Sequence, residues 1–168
     1  MRENPLRAGM RQGRTPDPSL LVIFGATGDL TERKLMPALF RLFQAGRLPQ
    51  NFAILGFARR DWGDEPFRGY MDETVRAYLG EDFDQPSWES FLQHLHFQPG
   101  GFGDAPAYEE LARQVEQLSE QYHTNGNVLY YLATPPTWFG KIAAHLKEAG
   151  LVNREKGWQR LIVEKPFG

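Results

Sequence analysis

Short apolar runs alternate with longer amphipathic segments along the chain from residue 19 onward. Most of these runs are unbroken and contain β-branched or aromatic residues, which is typical of strands that are buried on both faces of a sheet. The runs predict strands over residues 20–24, 52–57, 95–98, 128–133 and 160–165.

The segments between the predicted strands have apolar residues at helical spacing. In the first of these segments, Gly46 stands where a helix C-cap glycine is expected. Pro37 has no amide donor, so we expect the regular helix to begin near it, after a distinct first turn over residues 30–35. Further helices are predicted over residues 66–79, 87–95, 108–121 and 139–146.

This alternation of strand and helix predicts the fold class. It builds a parallel sheet with helices on both faces, which is an α/β, Rossmann-type doubly wound fold. We expect the sheet to stop before its last strand. Residues 1–19 contain four arginines, three prolines and two glycines and no apolar core. They predict a mobile N-terminal tail, with a basic contact arm as the alternative, followed by one domain over residues 20–168.

Composition narrows the classes of partner. The formal net charge of −2 and the pI of about 6.1 favour neither nucleic acid nor an anionic membrane surface as a partner. No apolar run approaches the roughly 20 residues of a membrane-spanning helix. The chain has no cysteine, which excludes disulfides and thiol catalysis and agrees with a cytoplasmic location. The four histidines lack metal-ligand spacing, so we expect no metal site and surface or half-buried roles for them.

The turn after the first strand, within "LVIFGATGDLTERKL", carries the clearest candidate chemistry. Gly25 and Gly28 allow the backbone to bend sharply and approach a ligand closely. Amides at the start of the following helix, together with the helix dipole, favour an anion there, and Thr27 adds a hydroxyl donor. A pyrophosphate suits this arrangement.

The glycine pattern alone does not decide between a cofactor site and a plain turn. In the dinucleotide fingerprint G-x-G-x-x-G counted from Gly25, Thr27 and Leu30 occupy the second and third glycine positions. The P-loop pattern fails as well, because no Gly-Lys pair follows at the required spacing. A tight turn without a ligand therefore remains the alternative.

The end of the second predicted strand bears on the choice of coenzyme. In "GFARR", Arg59 and Arg60 stand where dinucleotide-binding folds contact the adenosine ribose. An acidic residue at this place would favour NAD, whereas arginine pairs with the 2′-phosphate of NADP. The alternative is a pair of solvated loop arginines. The neighbouring Asp61, an acidic residue, weakens the argument for NADP over NAD.

Four stretches taken together resemble the N-terminal coenzyme domain of the glucose-6-phosphate dehydrogenases. They are "FGATGDLTERKLMPALFRL", "LGFARRDW", "LYYLATPPTWF" and "RLIVEKPFG", in the order and approximate spacing of that family. The resemblance covers residues 20–168. It implies NADP as coenzyme, and oxidation of glucose 6-phosphate to the lactone as the reaction of the full-length enzyme.

The resemblance also implies roles for particular residues. Those implied to bind the coenzyme are Gly25, Ala26, Thr27, Gly28, Asp29, Leu30, Arg59, Ala133, Thr134, Pro135 and Lys165. Those implied to lie at the substrate are Lys34 and Lys165, and the Lys165–Pro166 bond is expected to be cis.

The resemblance assigns no catalytic residue to this chain. The family's R-I-D-H-Y motif and its general-base histidine are not present in residues 1–168. We therefore expect the chain alone to bind NADP without turning over glucose 6-phosphate, and we expect a homo-oligomer when the enzyme is full length. The alternatives are a free-standing NADP-binding sensor or interaction module and a Rossmann-like scaffold that binds nothing.

Overall fold

A five-stranded parallel sheet organises the computed structural model, which describes residues 16–81 and 83–163. The strands follow the apolar runs closely, and the predicted doubly wound α/β fold is confirmed. Their bounds are β1 Ser19–Phe24, β2 Phe52–Ala58, β3 Leu95–Pro99, β4 Val128–Leu132 and β5 Gln159–Val163. The last residues predicted for β5, with Lys165 and the Lys165–Pro166 bond, lie outside the described residues, and so does most of the predicted tail.

Helices connect the strands as the amphipathic segments predict. Their bounds are α1 Met36–Gln44, α2 Asp64–Val75, α3 Gln85–Leu92, α4 Ala105–Tyr122 and α5 Phe139–Glu148. A 3₁₀ turn at Arg76–Tyr78 extends α2, and another at Pro136–Trp138 leads into α5. The first of these turns accounts for the predicted end of α2 near residue 79, and the remaining bounds of α2 to α5 lie within three residues of the predicted ones.

The first turn before α1 is distinct, as the position of Pro37 predicts. Residues Thr31–Leu35 form a π-type turn, and the amide of Met36 donates to the carbonyl of Thr31, five residues earlier. Pro37 has no amide to continue the ladder, so the regular α-helical pattern begins beside it. This turn fixes the direction in which the chain leaves β1.

The sheet separates two apolar cores. Alternate residues of β1 point to opposite sides: Leu21 and Ile23 belong to one core, while Leu20, Val22 and Phe24 belong to the other. The first core packs under α1, α2 and α3, and the second under α4 and α5. All six residues of β1 are buried, which explains why residues 20–24 form a continuous apolar run.

The two edges of the sheet differ. At the β3 edge, the amide of Phe97 donates to the Asp64 carboxylate at 2.9 Å, and the Arg68 guanidinium donates to the carbonyl of Leu95 at 2.9 Å. At the β5 edge, Leu161 and Val163 are 40% and 42% exposed. Side chains of α2 therefore satisfy part of one edge, whereas the other presents apolar surface, as expected for an uncovered fifth strand.

The strand order is β3-β2-β1-β4-β5. From β1 the chain adds β2 and β3 on one side of the sheet and then β4 and β5 on the other, so the strand order reverses between β1 and β4. In the register of the sheet, Phe24 lies opposite Phe57 on one side and Leu132 on the other. The chain segments that follow β1, β2 and β4 therefore leave the sheet at the same level. Ligands of doubly wound folds bind at such a reversal, beyond the carboxyl ends of the strands.

Candidate coenzyme site

Three segments meet beyond the carboxyl ends of β1, β2 and β4, and we call the space between them the crevice. They are residues 25–30, 59–60 and 133–135. The amide of Gly25 donates to the carbonyl of Phe57 at 3.0 Å, and the amide of Ala133 donates to the carbonyl of Phe24 at 2.9 Å. The structure thus brings together the three groups of residues that the resemblance implies.

Gly25 occupies a position that only glycine fits. Its φ is +86°, in the left-handed region that side chains disfavour. A Cβ atom added there would lie 2.3 Å from the carbonyl oxygen of Ala133. The bend after β1 therefore packs directly against the end of β4, and the absence of a side chain is what permits this close approach.

The amides of the bend divide into two groups. Those of Gly25 and Ala26 both donate to the carbonyl of Phe57, at 3.0 and 3.4 Å, and the amide of Gly28 donates to the carbonyl of Gly25 at 3.0 Å. The amide of Thr27 makes none of the backbone hydrogen bonds of the described loops. Asp29 and Leu30 begin the helical segment, where the amides of the first turn have no intrahelical acceptor. A ligand's hydrogen-bond acceptors would therefore meet these three donors, while the other three hold the bend in shape.

Two side chains that sequence reasoning missed also hold the bend. Thr31 is fully buried, and its hydroxyl donates to the carbonyl of Gly25 at 2.9 Å. The hydroxyl of Tyr70, from α2, donates to the carbonyl of Thr27 at 3.4 Å. A hydroxyl residue one helical turn after Gly28 was a usable signal for Thr31, but nothing in the sequence joins Tyr70 to a bend 43 residues away.

Charges of both signs surround the start of the helical segment. Arg33 pairs with Asp29 at 2.8 Å, and both side chains are exposed. Burial raises the pKa of the Glu32 carboxyl above its usual value, the Asp29 carboxylate raises it further, and Arg60 opposes them. Arg60, on the second segment, is thus close enough to act electrostatically on the first.

Arg59 and Arg60 leave the end of β2 side by side and are both exposed. Within the described residues, Arg59 has no hydrogen-bond or ion-pair partner for its guanidinium. A Cβ added at Gly101 would lie 3.4 Å from Arg59 Cδ, so the stem of this arginine runs beside the loop after β3. Arg60 instead places its guanidinium carbon 5.2 Å from the centroid of the Trp62 ring.

The remaining candidate residues lie at the margins of the crevice. Ala133 and Thr134 are half-buried at the end of β4, and Pro135 is exposed. The hydroxyl of Thr134 lies 3.2 Å from the carbonyl of Pro135. Lys34 is exposed on the π-type turn. Lys165 lies outside the described residues, so its implied contacts stay a prediction.

One histidine departs from the expected surface or half-buried role. His96 is 8% exposed, with Nδ1 2.7 Å from the Asp64 carboxylate and Nε2 2.8 Å from the Tyr122 hydroxyl. Its burial could not be predicted, because its partners come from α2 and α4 and a local pattern does not reveal them. This group lies at the β3 edge, away from the crevice. Among residues 16–81 and 83–163, no group of histidine and acidic side chains could hold a metal ion. The helices of this part of the chain also lack an apolar stretch of the length that a bilayer requires.

The sequence of residues 22–168 matches the family model described as the NAD-binding domain of glucose-6-phosphate dehydrogenase. The chain belongs to the glucose-6-phosphate dehydrogenase family. It is 43% identical over 164 residues to the glucose-6-phosphate 1-dehydrogenase of Chlamydia pneumoniae, which covers 95% of this chain and 32% of that protein. The enzyme of Aggregatibacter actinomycetemcomitans is 45% identical over 148 residues, covering 88% of this chain and 30% of that protein.

Solved structures of the same family share the fold. A glucose-6-phosphate dehydrogenase in complex with its substrate glucose 6-phosphate matches with a TM-score of 0.78 and 34% identity, over 90% of this chain and 31% of that chain. The chain thus spans about a third of the length of these relatives. The predicted resemblance is confirmed, and the matched domain indicates a nicotinamide dinucleotide as the coenzyme.

Proposed function

We propose that this chain is the coenzyme-binding part of a dehydrogenase that oxidises glucose 6-phosphate to 6-phosphogluconolactone with NADP. The observation that carries the proposal is the bend at residues 25–30, where a Cβ at Gly25 would meet β4 and three neighbouring amides are left for a ligand. Family membership supports the nicotinamide coenzyme.

The residues of the crevice fit the parts of NADP in order. The amides of Thr27, Asp29 and Leu30 would hold the diphosphate at the start of a helical segment, where the backbone dipoles favour anions. The guanidinium of Arg59 would pair with the 2′-phosphate through charge-assisted hydrogen bonds. Ala133 and the two residues after it would border the nicotinamide.

The chemistry that NADP supplies is acceptance of a hydride from carbon 1 of the sugar, while the proton of the carbon 1 hydroxyl passes to a base. Such a base must lie within roughly 2.6–3.2 Å of the proton it removes. His96 has a hydrogen-bond partner on each ring nitrogen, but it lies at the β3 edge and not at the crevice. This chain therefore binds and orients coenzyme, and Lys34 and Lys165 would contribute to substrate binding.

The test is calorimetric titration of the purified 168-residue chain with NADP and with NAD, followed by an assay for NADPH production with glucose 6-phosphate. We expect binding of NADP in preference to NAD, and no turnover. Undetectable binding of both dinucleotides would overturn the coenzyme role. Sustained NADPH production would instead contradict the expectation that this chain supplies no general base. It would leave the coenzyme role standing.

A further inference from the structure

A continuous line of contacts joins the arginine segment after β2 to the bend after β1. The guanidinium carbon of Arg60 lies 5.2 Å from the centroid of the Trp62 ring. The Trp62 and Tyr70 rings have centroids 5.1 Å apart at an angle of 45°. The Tyr70 hydroxyl donates to the carbonyl of Thr27, inside the bend after β1. The line thus runs from the arginine segment to the bend.

The aromatic pair in the middle of this line is anchored in the protein interior. Trp62 and Tyr70 are partly buried against the first core. The Trp62 ring also lies 5.7 Å from that of Phe97, which is 3% exposed. A pair fixed in this way holds its position more firmly than an exposed arginine could by itself.

Trp62 also counters an electrostatic attraction on Arg60. Burial and Asp29 raise the pKa of Glu32, and the charge of Arg60 opposes this rise, so the two charged groups attract each other. This attraction draws the guanidinium toward the acidic start of the helical segment. The face of the Trp62 indole ring offers a competing site for the cation.

Tyr70 acts on the bend after β1. Its hydrogen bond turns the carbonyl of Thr27 toward α2. A carbonyl oxygen directed at a diphosphate would repel it, whereas a carbonyl held aside leaves the neighbouring amide donors to face the anion. The hydroxyl therefore favours one orientation of the peptide that follows Thr27.

We propose that Trp62 and Tyr70 are positioning residues for the coenzyme. Trp62 keeps Arg60 on the side of the adenosine 2′-phosphate, as a second cation beside Arg59, and Tyr70 fixes the bend that receives the diphosphate. This inference rests on the proposed function. It assigns coenzyme selectivity to Trp62 and coenzyme affinity without selectivity to Tyr70.

The test measures the dissociation constants of NADP and NAD for variants of each residue. Trp62→Leu is expected to weaken NADP binding about two- to fivefold, since it removes the cation–π contact, and to change NAD binding less than twofold. Trp62→Phe retains an aromatic face and is expected to restore most of the preference. Tyr70→Phe is expected to weaken both dinucleotides equally, and Tyr78→Phe, at an exposed tyrosine, serves as its control.

A double-mutant cycle tests whether Arg60 and Trp62 act through one interaction, and Arg60→Ala alone keeps the proposal testable if Trp62→Leu folds poorly. Arg60→Ala is expected to lower the NADP preference as Trp62→Leu does, and the double variant to lower it no further, because both remove one interaction. Additive losses, or an equal weakening of NADP and NAD by Trp62→Leu, would overturn the inference, since a purely structural role affects both coenzymes. If the unmodified chain binds neither dinucleotide, the proposed function fails first and the inference with it.

Discussion

The bend after β1 and the arginine segment after β2 are neighbours in the crevice, but they are built in opposite ways. The bend is held from within: Ala26 and Thr31 are fully buried, and three of its amides already donate to carbonyls. The arginine segment is exposed, and Arg59 extends without a partner among the described residues. Under the proposed function, the comparison teaches that the diphosphate site is set by folding, whereas the choice between NADP and NAD depends on exposed side chains. Changes in the bend should affect both coenzymes, and changes in the arginine segment only their ratio.

The largest effect is expected from Gly25→Ala. The left-handed φ and the contact with the carbonyl of Ala133 should together cost about 2–4 kcal/mol of unfolding free energy, and should abolish binding of both dinucleotides. Chemical denaturation and calorimetry measure the two effects. The matched control is Gly46→Ala, where φ is +70° but nothing lies within 4 Å of the added Cβ. Equal losses in the two variants would show that the packing against β4 is unimportant.

Arg59→Ala should produce the next largest effect, confined to one coenzyme. Loss of a charge-assisted contact with the 2′-phosphate predicts a roughly ten- to hundredfold weaker NADP complex, with NAD affected less than twofold. Competitive titration with the two dinucleotides gives the ratio directly. Arg47→Ala removes an exposed arginine beyond the end of α1 and controls for net charge. An unchanged NADP preference in Arg59→Ala would disprove this account of coenzyme choice.

Thr31→Val tests the internal support of the bend with a smaller perturbation. The substitution removes the buried hydrogen bond to the carbonyl of Gly25, which predicts a loss of about 1 kcal/mol in unfolding free energy. Both dinucleotides should bind more weakly by the same factor. Thr31→Ser keeps the hydroxyl and should remain close to the unmodified chain. A change in the ratio of NADP affinity to NAD affinity would contradict the distinction between the bend and the arginine segment.

The smallest effect concerns Glu32. Because its pKa is raised in the folded chain, the charged carboxylate destabilises the fold above that pKa, and the penalty disappears as the pH falls toward the usual value of the group. Its negative charge should also oppose an anionic coenzyme. Glu32→Gln should therefore strengthen binding of both dinucleotides about twofold at neutral pH, by relief of a screened repulsion, and should reduce the gain seen on acidification. Titrations of both proteins across the same pH range separate this effect from protonation of the coenzyme itself.

The sequence predicted most where the signal is local. The apolar runs located all five strands, and Pro37 located the change from a separate first turn to regular helix. Gly25 and Arg59 were predicted as site residues because turn chemistry and charge at a strand end have meaning at short range. The resemblance to one family then added Ala133 and its neighbours.

What the sequence did not predict depends on contacts between distant segments. No local pattern reveals that the amides of Gly25 and Ala26 are used inside the protein, because their acceptor, the carbonyl of Phe57, is set by the packing of β1 against β2. The roles of Tyr70 and the burial of His96 arise in the same way, from side chains that meet only after the helices dock on the sheet. Spacing along the chain carries little information about such meetings.

The most direct test of the central claim is a crystal structure of the chain grown with NADP. We predict diphosphate oxygens within hydrogen-bonding distance of the amides of Thr27, Asp29 and Leu30, and the 2′-phosphate paired with the Arg59 guanidinium. A dinucleotide bound elsewhere on the protein, with water alone facing those three amides, would contradict the account.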